Sequence, residues 1–428
     1  MHRYWGSCGP AGGYREGVLT INRVCSPALL IVLLCGFAAK ASEPSQLPAL
    51  STAAQPAAAI LHDTNATGLV LVCVRGHGVF IQGFGQTSPH SGHQPTATSL
   101  IRLCSLTKIF ATDLLVKLTV DKTVRVDDPL QLFAPPNLHV PTHTLHGPAK
   151  RAITLQDLAT HTAGLPREMG GAPAGAPHFT FPNFAQRWTW LPKQKLLSSP
   201  GEAALYSNLG FDLLADALES AAHQPYARLL AARITTPLGM RDTTFTPSTE
   251  QCSRLLSGSD DKQVCADTTA SSGSAGLYST PADMARWLRY LLGDSSLPIQ
   301  QNPVAQAIYV EPANLVSLRG LDHAGRPSGI GLGWLQLGQR GSPSMILQKT
   351  GAGAGFASYI ALNPAMHTGI FLALTVGSGN WHSNPFIVAN NILLGLSNLP
   401  PLPDVPGPPR RHTKRPSRRG TRRRTISS

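Results

Sequence analysis

Strand-like runs stand at both ends of the chain's body, and helical runs lie between them. Near the start, "GLVLVCVRGHGVFIQGFGQ" consists of two β-rich runs broken at Arg75-Gly76-His77-Gly78, which predicts a hairpin. Near the end, "MILQKT", "FASYIALNP" and "HTGIFLALTV" predict three more strands separated by turn residues. We therefore predict an α+β fold, in which an antiparallel sheet formed by both chain ends is flanked by helices and carries an inserted, mostly helical lobe.

The predicted helices are marked by apolar periodicity and by capping residues. Residues 105–120 and 210–220 carry apolar side chains at helical spacing, which predicts two amphipathic helices. Thr154 with Asp157 makes a capping-box-like opening, and Thr280 followed by Pro281 marks another helix start.

The N-terminal segment has the pattern of a signal peptide. Three arginines precede an apolar run from Ala28 to Ala39, and Ala39-Lys40-Ala41 has the small-x-small form of a cleavage site. The run is shorter than the roughly 20 apolar residues that span a bilayer, so cleavage after Ala41 is favoured over an anchor. The predicted organisation is a signal peptide at 1–41, a linker at 42–64, one folded domain at 65–400 and a disordered basic tail at 401–428.

The basic charge of the chain is concentrated at its ends. Of the formal net charge of +13, +3 lies in residues 1–41 and +8 in residues 401–428, which leaves +2 for the body. A nucleic-acid-binding domain needs a basic face on its folded part, so we predict no nucleic-acid partner. The tail is predicted either to bind an anionic membrane surface or wall polymer, or to remain a solvated disordered segment.

The cysteines of the body indicate a disulfide and no metal centre. Cys252 and Cys265 lie in a polar stretch and in an oxidising compartment would close a short loop, worth about 3 kcal/mol. Cys73 lies in an apolar run and is predicted to be buried. No cysteine pair has zinc-site spacing, and three loop histidines lack a nearby acid or thiol: His139, His143 and His146.

Three short motifs carry the candidate chemistry. Ser105-Leu106-Thr107-Lys108 places a hydroxyl and an amine three residues apart at a helix start, so both project from one face. That pattern alone should occur by chance about once or twice in a chain of this length. Tyr206-Ser207-Asn208 before a predicted helix and Lys349-Thr350-Gly351 at the end of a predicted strand join it, and this ordered set should occur by chance in well under about one chain in a hundred.

The set "SLTK", "YSN" and "KTG" resembles the serine β-lactamase and penicillin-binding-protein superfamily, and the Tyr-x-Asn motif resembles its class C branch. Connecting segments such as "ITLQDLATHTAGLP" and "GLYSTPADMARWL" extend the resemblance over roughly residues 65 to 395. The resemblance is closest to AmpH-type D-alanyl-D-alanine carboxypeptidase/endopeptidases. It implies a β-lactamase/transpeptidase-like fold and no cofactor.

The resemblance also implies the catalytic roles. Ser105 would attack the carbonyl of a D-Ala–D-amino-acid bond and hold the acyl-enzyme. Lys108 and Tyr206 would manage its proton, and the sequence leaves open which of the two is the base. The backbone N–H groups of Ser105 and Ala352 would form the oxyanion hole.

Substrate binding would fall to residues of the second and third motifs. Asn208 would bind the substrate amide, and Lys349 and Thr350, with Gly351, would meet the terminal carboxylate. His161 in "HTAGLP" is interpreted as a structural, hydrogen-bonded histidine.

The expected function is that of an exported D-alanyl-D-alanine carboxypeptidase with endopeptidase action, which takes peptidoglycan peptides and β-lactams in the periplasm, associated with the inner membrane if the tail binds lipid. A class C-like β-lactamase is an alternative, because the two differ in how fast water clears the acyl-enzyme, which motifs do not encode. A non-turnover penicillin-recognising sensor and an esterase of the same superfamily are further alternatives.

Overall fold

The computed structural model describes residues 47–258, 265–376 and 381–403. Within these ranges the helices are α1 Ala54–Asp63, α2 Thr107–Val120, α3 Leu155–Ala159, α4 Phe184–Trp190, α5 Asn208–Ala222, α6 Tyr226–Leu230, α7 Thr249–Ser253, α8 Pro281–Leu291 and α9 Pro385–Gly395. The strands are β1 Gly68–Arg75, β2 Gly78–Gly85, β3 Ile101–Arg102, β4 His143–Thr144, β5 Gly147–Pro148, β6 Ala203–Leu205, β7 Tyr278–Ser279, β8 Ile308–Val310, β9 Ser317–Arg319, β10 Gly329–Gly331, β11 Leu335–Leu337, β12 Ile346–Gly353, β13 Phe356–Asn363 and β14 Thr368–Thr375.

The main sheet is built from both ends of the chain. Its eight strands lie in the order β2-β1-β14-β13-β12-β11-β10-β8, and every neighbouring pair is antiparallel. The first strand, β1, pairs with the last, β14, from Leu69 opposite Leu374 to Arg75 opposite Thr368. The predicted α+β architecture is therefore confirmed, including the hairpin β1–β2, which turns at Gly76 with φ +54°.

Both faces of this sheet are covered. Alternate residues of β1 point to opposite sides, so Leu69, Leu71 and Cys73 pack in the cluster with α1 and α9. Val70, Val72 and Val74 pack in the larger cluster that contains α2, α5 and α8. Since β1 is buried on both sides, its sequence is a continuous apolar run with no polar alternation.

Helix α2 is not amphipathic, and that prediction is wrong. Every residue from Thr107 to Val116 is buried, including Lys108 and Asp113, because the helix lies inside the larger core cluster with neighbours on all sides. Its polar residues are consequently held in the interior, where they need partners.

The predicted linker is also wrong for most of its length. Residues Leu50–Ala53 form a 3₁₀ turn that continues into α1, and Ala57 and Ile60 are fully buried against the sheet. An Ala-rich segment resembles a linker in composition, but alanine is the best helix former and its small side chain allows close packing. Pro56 lies in the first turn of α1, where proline is tolerated.

The other predicted segments at the chain ends fall largely outside the described ranges. The signal peptide, its cleavage site and residues 404–428 of the tail are all in this category. The domain extends slightly beyond its predicted end at residue 400, since Leu402 packs against the α1 and α9 cluster. Among the described residues, no helix combines the length and apolar character needed to cross a bilayer.

Candidate active site

Ser105 lies in a tight turn that leads into α2. The turn is the 3₁₀ segment Cys104–Leu106, and Ser105 is 6% exposed. Cys104 has φ +50°, a left-handed conformation that is uncommon for a residue with a side chain. Such a conformation persists only where the surroundings impose it, and the buried Cys104 thiol lies 3.3 Å from the Gly353 carbonyl oxygen. The backbone that orients Ser105 is therefore fixed by its contact with β12.

Lys108 lies one turn along and is completely buried. Its Nζ donates to Ser105 Oγ at 3.3 Å, to Asn208 Oδ1 at 2.6 Å and to the Ser274 carbonyl oxygen at 2.8 Å. Burial lowers the pKa of Lys108 from 10.5 to about 7, although the charges of Asp212 and Glu168 act in the opposite direction. The amine beside Ser105 can therefore exchange a proton near neutral pH.

Tyr206 completes the contacts of Ser105. Its hydroxyl donates to Ser105 Oγ at 2.6 Å. Three basic side chains surround its ring, with Lys108 Nζ, Lys349 Nζ and Arg167 Cζ at 4.9, 4.7 and 4.7 Å from the ring centroid. These distances place the phenol in a strongly positive environment.

The backbone around Tyr206 explains its position. The residue follows β6, which pairs with β9, and its N–H donates to the Arg319 carbonyl oxygen at 3.1 Å. Gly320 next to Arg319 has φ +74°, and a Cβ there would lie 3.1 Å from Tyr206 Cβ, so glycine is required. Ser207 caps α5 by accepting from the Gly210 N–H, which starts the helix at Asn208 rather than near Gly210 as predicted.

Asn208 is oriented by bonds at both ends of its amide. Its Oδ1 accepts from Lys108, and its Nδ2 donates to Glu168 Oε1. The motif residues Lys108 and Asn208, far apart in sequence, are thus in direct contact.

Strand β12 brings the third motif to the same place. Lys349 is 1% exposed, and burial lowers its pKa from 10.5 to about 8. Thr350 is half-buried and Ala352 is exposed at the end of the strand. Gly351 lies against the turn before Ser105, where a Cβ would be 2.7 Å from the Leu103 carbonyl oxygen. The three motifs therefore meet around Ser105.

His161 supports the site from behind Tyr206. Its ring stacks on that of Tyr206 with centroids 4.5 Å apart, and its Nδ1 accepts from the Ser207 N–H at 3.0 Å. Burial, aided by the charges of Lys349 and Lys108, holds the pKa of His161 well below 6.5. A neutral ring that accepts at Nδ1 carries its proton on Nε2.

Two carboxylates and a serine near the site belong to none of the three sequence motifs. Asp212 accepts from the N–H and the hydroxyl of Ser274, both at 3.0 Å, and burial raises its pKa to about 7. Asp212 follows Asn208 by four residues on α5, so helical spacing could have indicated it. Glu168 and Ser274 lie in irregular segments, where no local pattern predicts which residues the fold brings to Ser105.

The remaining predicted side chains lie outside this cluster. Cys252 and Cys265 form a disulfide with a Cα–Cα distance of 5.9 Å, while Cys73 is a buried thiol. Within the described ranges, no group of three or more His, Cys, Asp and Glu side chains could hold a metal ion.

Comparisons with known proteins identify the family of the chain. The family model described as "Beta-lactamase" matches residues 54–385. The chain is 40% identical over 344 residues to the D-alanyl-D-alanine-carboxypeptidase/endopeptidase AmpH of Escherichia coli strain K12. The aligned region covers 80% of this chain and 88% of that protein. A solved beta-lactamase/D-alanine carboxypeptidase from Yersinia pestis, complexed with citrate, superposes with a TM-score of 0.76 at 41% identity and covers 81% of this chain and 98% of that one.

A more distant likeness concerns the fold alone. A solved class C beta-lactamase superposes with a TM-score of 0.62 at 18% identity and covers 82% of this chain and 94% of that one.

Proposed function

The chain belongs to the beta-lactamase family, and from that premise we propose that it is a serine D-alanyl-D-alanine carboxypeptidase/endopeptidase acting on peptidoglycan peptides through an acyl-enzyme on Ser105. It is a serine-type hydrolase of this family. The observation that carries the proposal is the contact of Ser105 Oγ with both Tyr206, at 2.6 Å, and Lys108, at 3.3 Å. A hydroxyl flanked by two groups that can move its proton is the arrangement that nucleophilic catalysis requires.

Lys108 is the proposed base. Two of the three groups that Lys108 Nζ contacts, Asn208 Oδ1 and the Ser274 carbonyl oxygen, can only accept hydrogen bonds. Lys108 therefore donates one hydrogen to each of them, whether it is an ammonium or a neutral amine. The third direction faces Ser105 Oγ, where the neutral amine presents its lone pair. With a pKa of about 7, a large fraction of Lys108 is neutral near neutral pH.

The contacts of Ser105 with Lys108 and Tyr206 support the following proposed acylation step. As Ser105 Oγ bonds to the substrate carbonyl carbon, its proton passes to Lys108, and the resulting oxyanion accepts from the backbone N–H groups of Ser105 and Ala352. When the carbon–nitrogen bond breaks, Tyr206 donates its proton to the leaving amine, and Lys108 returns the first proton to Tyr206. Water later hydrolyses the ester and frees Ser105.

Substrate binding uses the two sides of the site. Lys349 and Thr350 meet the terminal carboxylate of the peptide, since Lys349 is a buried cation beside Tyr206. Asn208 binds the substrate amide on the other side of Ser105. β-Lactams, which carry a carboxylate and an amide at comparable positions, acylate Ser105 in the same way.

The test follows Ser105 directly. Purified residues 42–403 are incubated with benzylpenicillin and, separately, with a D-Ala-D-Ala peptide, and intact mass and D-Ala release are followed. The unaltered protein should form a long-lived adduct and release D-Ala, while Ser105→Ala should do neither. Ser253→Ala, which changes an exposed serine of α7, should behave as the unaltered protein. D-Ala release that persists in Ser105→Ala would contradict the proposal.

A class C-like β-lactamase is the second candidate, because the chain shares its fold with a solved class C beta-lactamase. The same experiment separates the two, since a β-lactamase would lose its adduct within seconds while penicillin is hydrolysed. A stable adduct without D-Ala release would instead identify a penicillin-recognising sensor.

We further propose that the chain is exported to the periplasm and that its basic tail binds an anionic membrane surface. The pattern of residues 1–41 supports export, and the +8 charge of residues 401–428 supports binding to anionic lipid. N-terminal sequencing of the exported protein should find Ser42 first. A chain that ends at Pro403 should sediment with anionic vesicles less than the chain that ends at Ser428, and equal sedimentation would exclude a role for the tail.

A further inference from the structure

Glu168 places an exposed negative charge at the edge of the site. Its Oε1 accepts from Asn208 Nδ2, and its side chain is 53% exposed. Asn208 in turn accepts from Lys108, which contacts Ser105. The Glu168 carboxylate is therefore connected to the nucleophile through two side chains and remains open to solvent.

The other charges around Ser105 are arranged differently. Lys108 and Lys349 are buried. Asp212 is also buried, and its carboxylate accepts hydrogen bonds from the N–H and hydroxyl groups of Ser274. Among these charged side chains, Glu168 is the carboxylate that an incoming molecule can reach.

Arg167 does not neutralise Glu168 effectively. Its Nε lies 3.9 Å from Glu168 Oε1, and the two side chains are 58% and 53% exposed. Exposed ion pairs of this length contribute little. The guanidinium instead lies over the Tyr206 ring, with Cζ 4.7 Å from the centroid. The charge of Glu168 is thus available to a ligand.

We infer that Glu168 is a specificity-determining residue that recognises a cationic amino group on the acyl side of the scissile bond. This inference rests on the proposed function, in which the terminal carboxylate lies at Lys349 and the amide at Asn208. The part of the peptide beyond that amide then passes Glu168. The preferred substrates are peptides whose residue before the D-Ala-D-Ala end carries a free side-chain amine, because a hydrogen bond between two ionised groups is stronger than one between neutral groups.

The test compares two peptides that differ in one charge. D-Ala release is measured with Nα-acetyl-L-Lys-D-Ala-D-Ala, which has a free amine, and with its Nα,Nε-diacetyl form, which does not. The unaltered protein should prefer the free amine by roughly three- to fivefold in kcat/KM, the size expected for a partly exposed ion pair, and Glu168→Gln should bring that ratio towards one. Glutamine keeps an oxygen that accepts from Asn208, so only the charge is removed. Glu311→Gln, which removes an exposed carboxylate paired with Arg340, should keep the preference.

The outcomes separate this inference from the proposed function. Equal kcat/KM values for the two peptides in the unaltered protein would overturn it, and so would a preference that persists in Glu168→Gln. If Glu168→Gln lowered kcat/KM by the same factor for both peptides, the inference would also be overturned, because Glu168 would then only orient Asn208. In each of these cases an adduct with benzylpenicillin on Ser105 leaves the proposed function standing, whereas the absence of both adduct and D-Ala release would remove the proposed function and the inference together.

Discussion

Lys108 is subject to two opposing effects. Burial removes its amine from water and lowers the pKa, while the negative charges of Asp212 and Glu168 raise it. Asp212 does not touch Lys108, because it accepts from the N–H and hydroxyl of Ser274, whose carbonyl oxygen accepts from Lys108. A change at Asp212 should therefore alter the proton affinity of Lys108 without removing any of its hydrogen bonds.

Replacing Asp212 should shift the pH dependence of acylation. If neutral Lys108 accepts the Ser105 proton, the acylation rate rises with pH through the Lys108 pKa of about 7. Asp212→Asn removes a charge that raises this pKa, so the pKa falls. The acidic limb of the pH–rate profile should then move to lower pH, by less than about one unit, because Asp212 has a pKa raised to about 7 and is itself partly protonated in this range. The measurement is the rate of adduct formation with benzylpenicillin between about pH 5 and 9.

Asp113→Asn is the matched control for this experiment. Asp113 is also a buried carboxylate, located on α2 itself, but it accepts from the Tyr290 hydroxyl, and it is not among the charges that mainly shift the Lys108 pKa. Its variant should keep the acidic limb in place, with circular dichroism to check that both variants fold. A limb that stays in place or moves to higher pH in Asp212→Asn would argue against Lys108 as the base.

The residues of the site differ in how far the sequence could predict them. Ser105 and Lys108 form a local pattern, since one helical turn brings them together. The contact of Lys108 with Asn208 depends on the packing of α2 against α5, and the order of the motifs was the only indication of it in the sequence. Glu168 and Ser274 come from irregular segments whose course is set by tertiary structure, so no spacing in the sequence identifies them.

At the level of elements, strand β12 passes unusually close to the turn that carries Ser105. A Cβ on Gly351 would lie 2.3 Å from Ser358 Oγ and 2.7 Å from the Leu103 carbonyl oxygen. Ser358, opposite Gly351 on β13, donates to that same carbonyl at 2.7 Å. The hydrogen bond from β13 therefore attaches the turn to the sheet, and the absence of a side chain at Gly351 allows it.

Gly351→Ala should impair both stability and acylation. The added methyl would force β12 away from Leu103, and overpacking of this kind typically costs about 1–3 kcal/mol. Lys349 and Ala352 on the same strand would shift relative to Ser105, and a displacement of about 1 Å can cost roughly a hundredfold in rate. The thermal midpoint and the rate of benzylpenicillin acylation measure the two effects.

Gly395→Ala provides a control at a helical glycine. A Cβ on Gly395, the last residue of α9, would meet nothing within 4 Å. That substitution should keep the acylation rate and raise stability slightly, by about 0.5–1 kcal/mol. An acylation rate that is unchanged in Gly351→Ala would show that β12 tolerates displacement and would contradict the close-packing argument.

The elements themselves were predictable where local chemistry decides them. The β1–β2 hairpin and the three last strands follow from β-rich runs with turn residues between them, and the opening of α3 follows from Thr154 and Asp157, which form a capping box in the structure. The burial of α2 and the formation of α1 were missed, because both depend on what the rest of the chain packs around them. Composition alone cannot distinguish an Ala-rich helix under a sheet from an Ala-rich linker.

At the scale of the whole molecule, the two ends of the described chain are joined to each other. Arg75, at the end of β1, donates to the carbonyl oxygens of Pro48 and Leu396, both at 2.8 Å. Asp63, at the end of α1, accepts from the Ser383 hydroxyl at 2.6 Å just before α9. Helices α1 and α9 thus cover the same face of the sheet and depend on each other for burial.

Removal of α1 should therefore destabilise the whole domain. A chain of residues 65–403 lacks the buried Ala57 and Ile60 and uncovers Leu69 and Leu71 on the sheet. The loss of several buried side chains should amount to several kcal/mol, out of a typical total of about 5–15 kcal/mol. We expect a thermal midpoint lower by roughly 10 °C or more, or an insoluble product, when this chain is compared with residues 42–403 by scanning calorimetry. Residues 47–403, which keep α1, serve as the matched control and should have the same thermal midpoint as residues 42–403. If residues 65–403 melted at that temperature too, α1 would be dispensable, and a linker would be the better description of this segment.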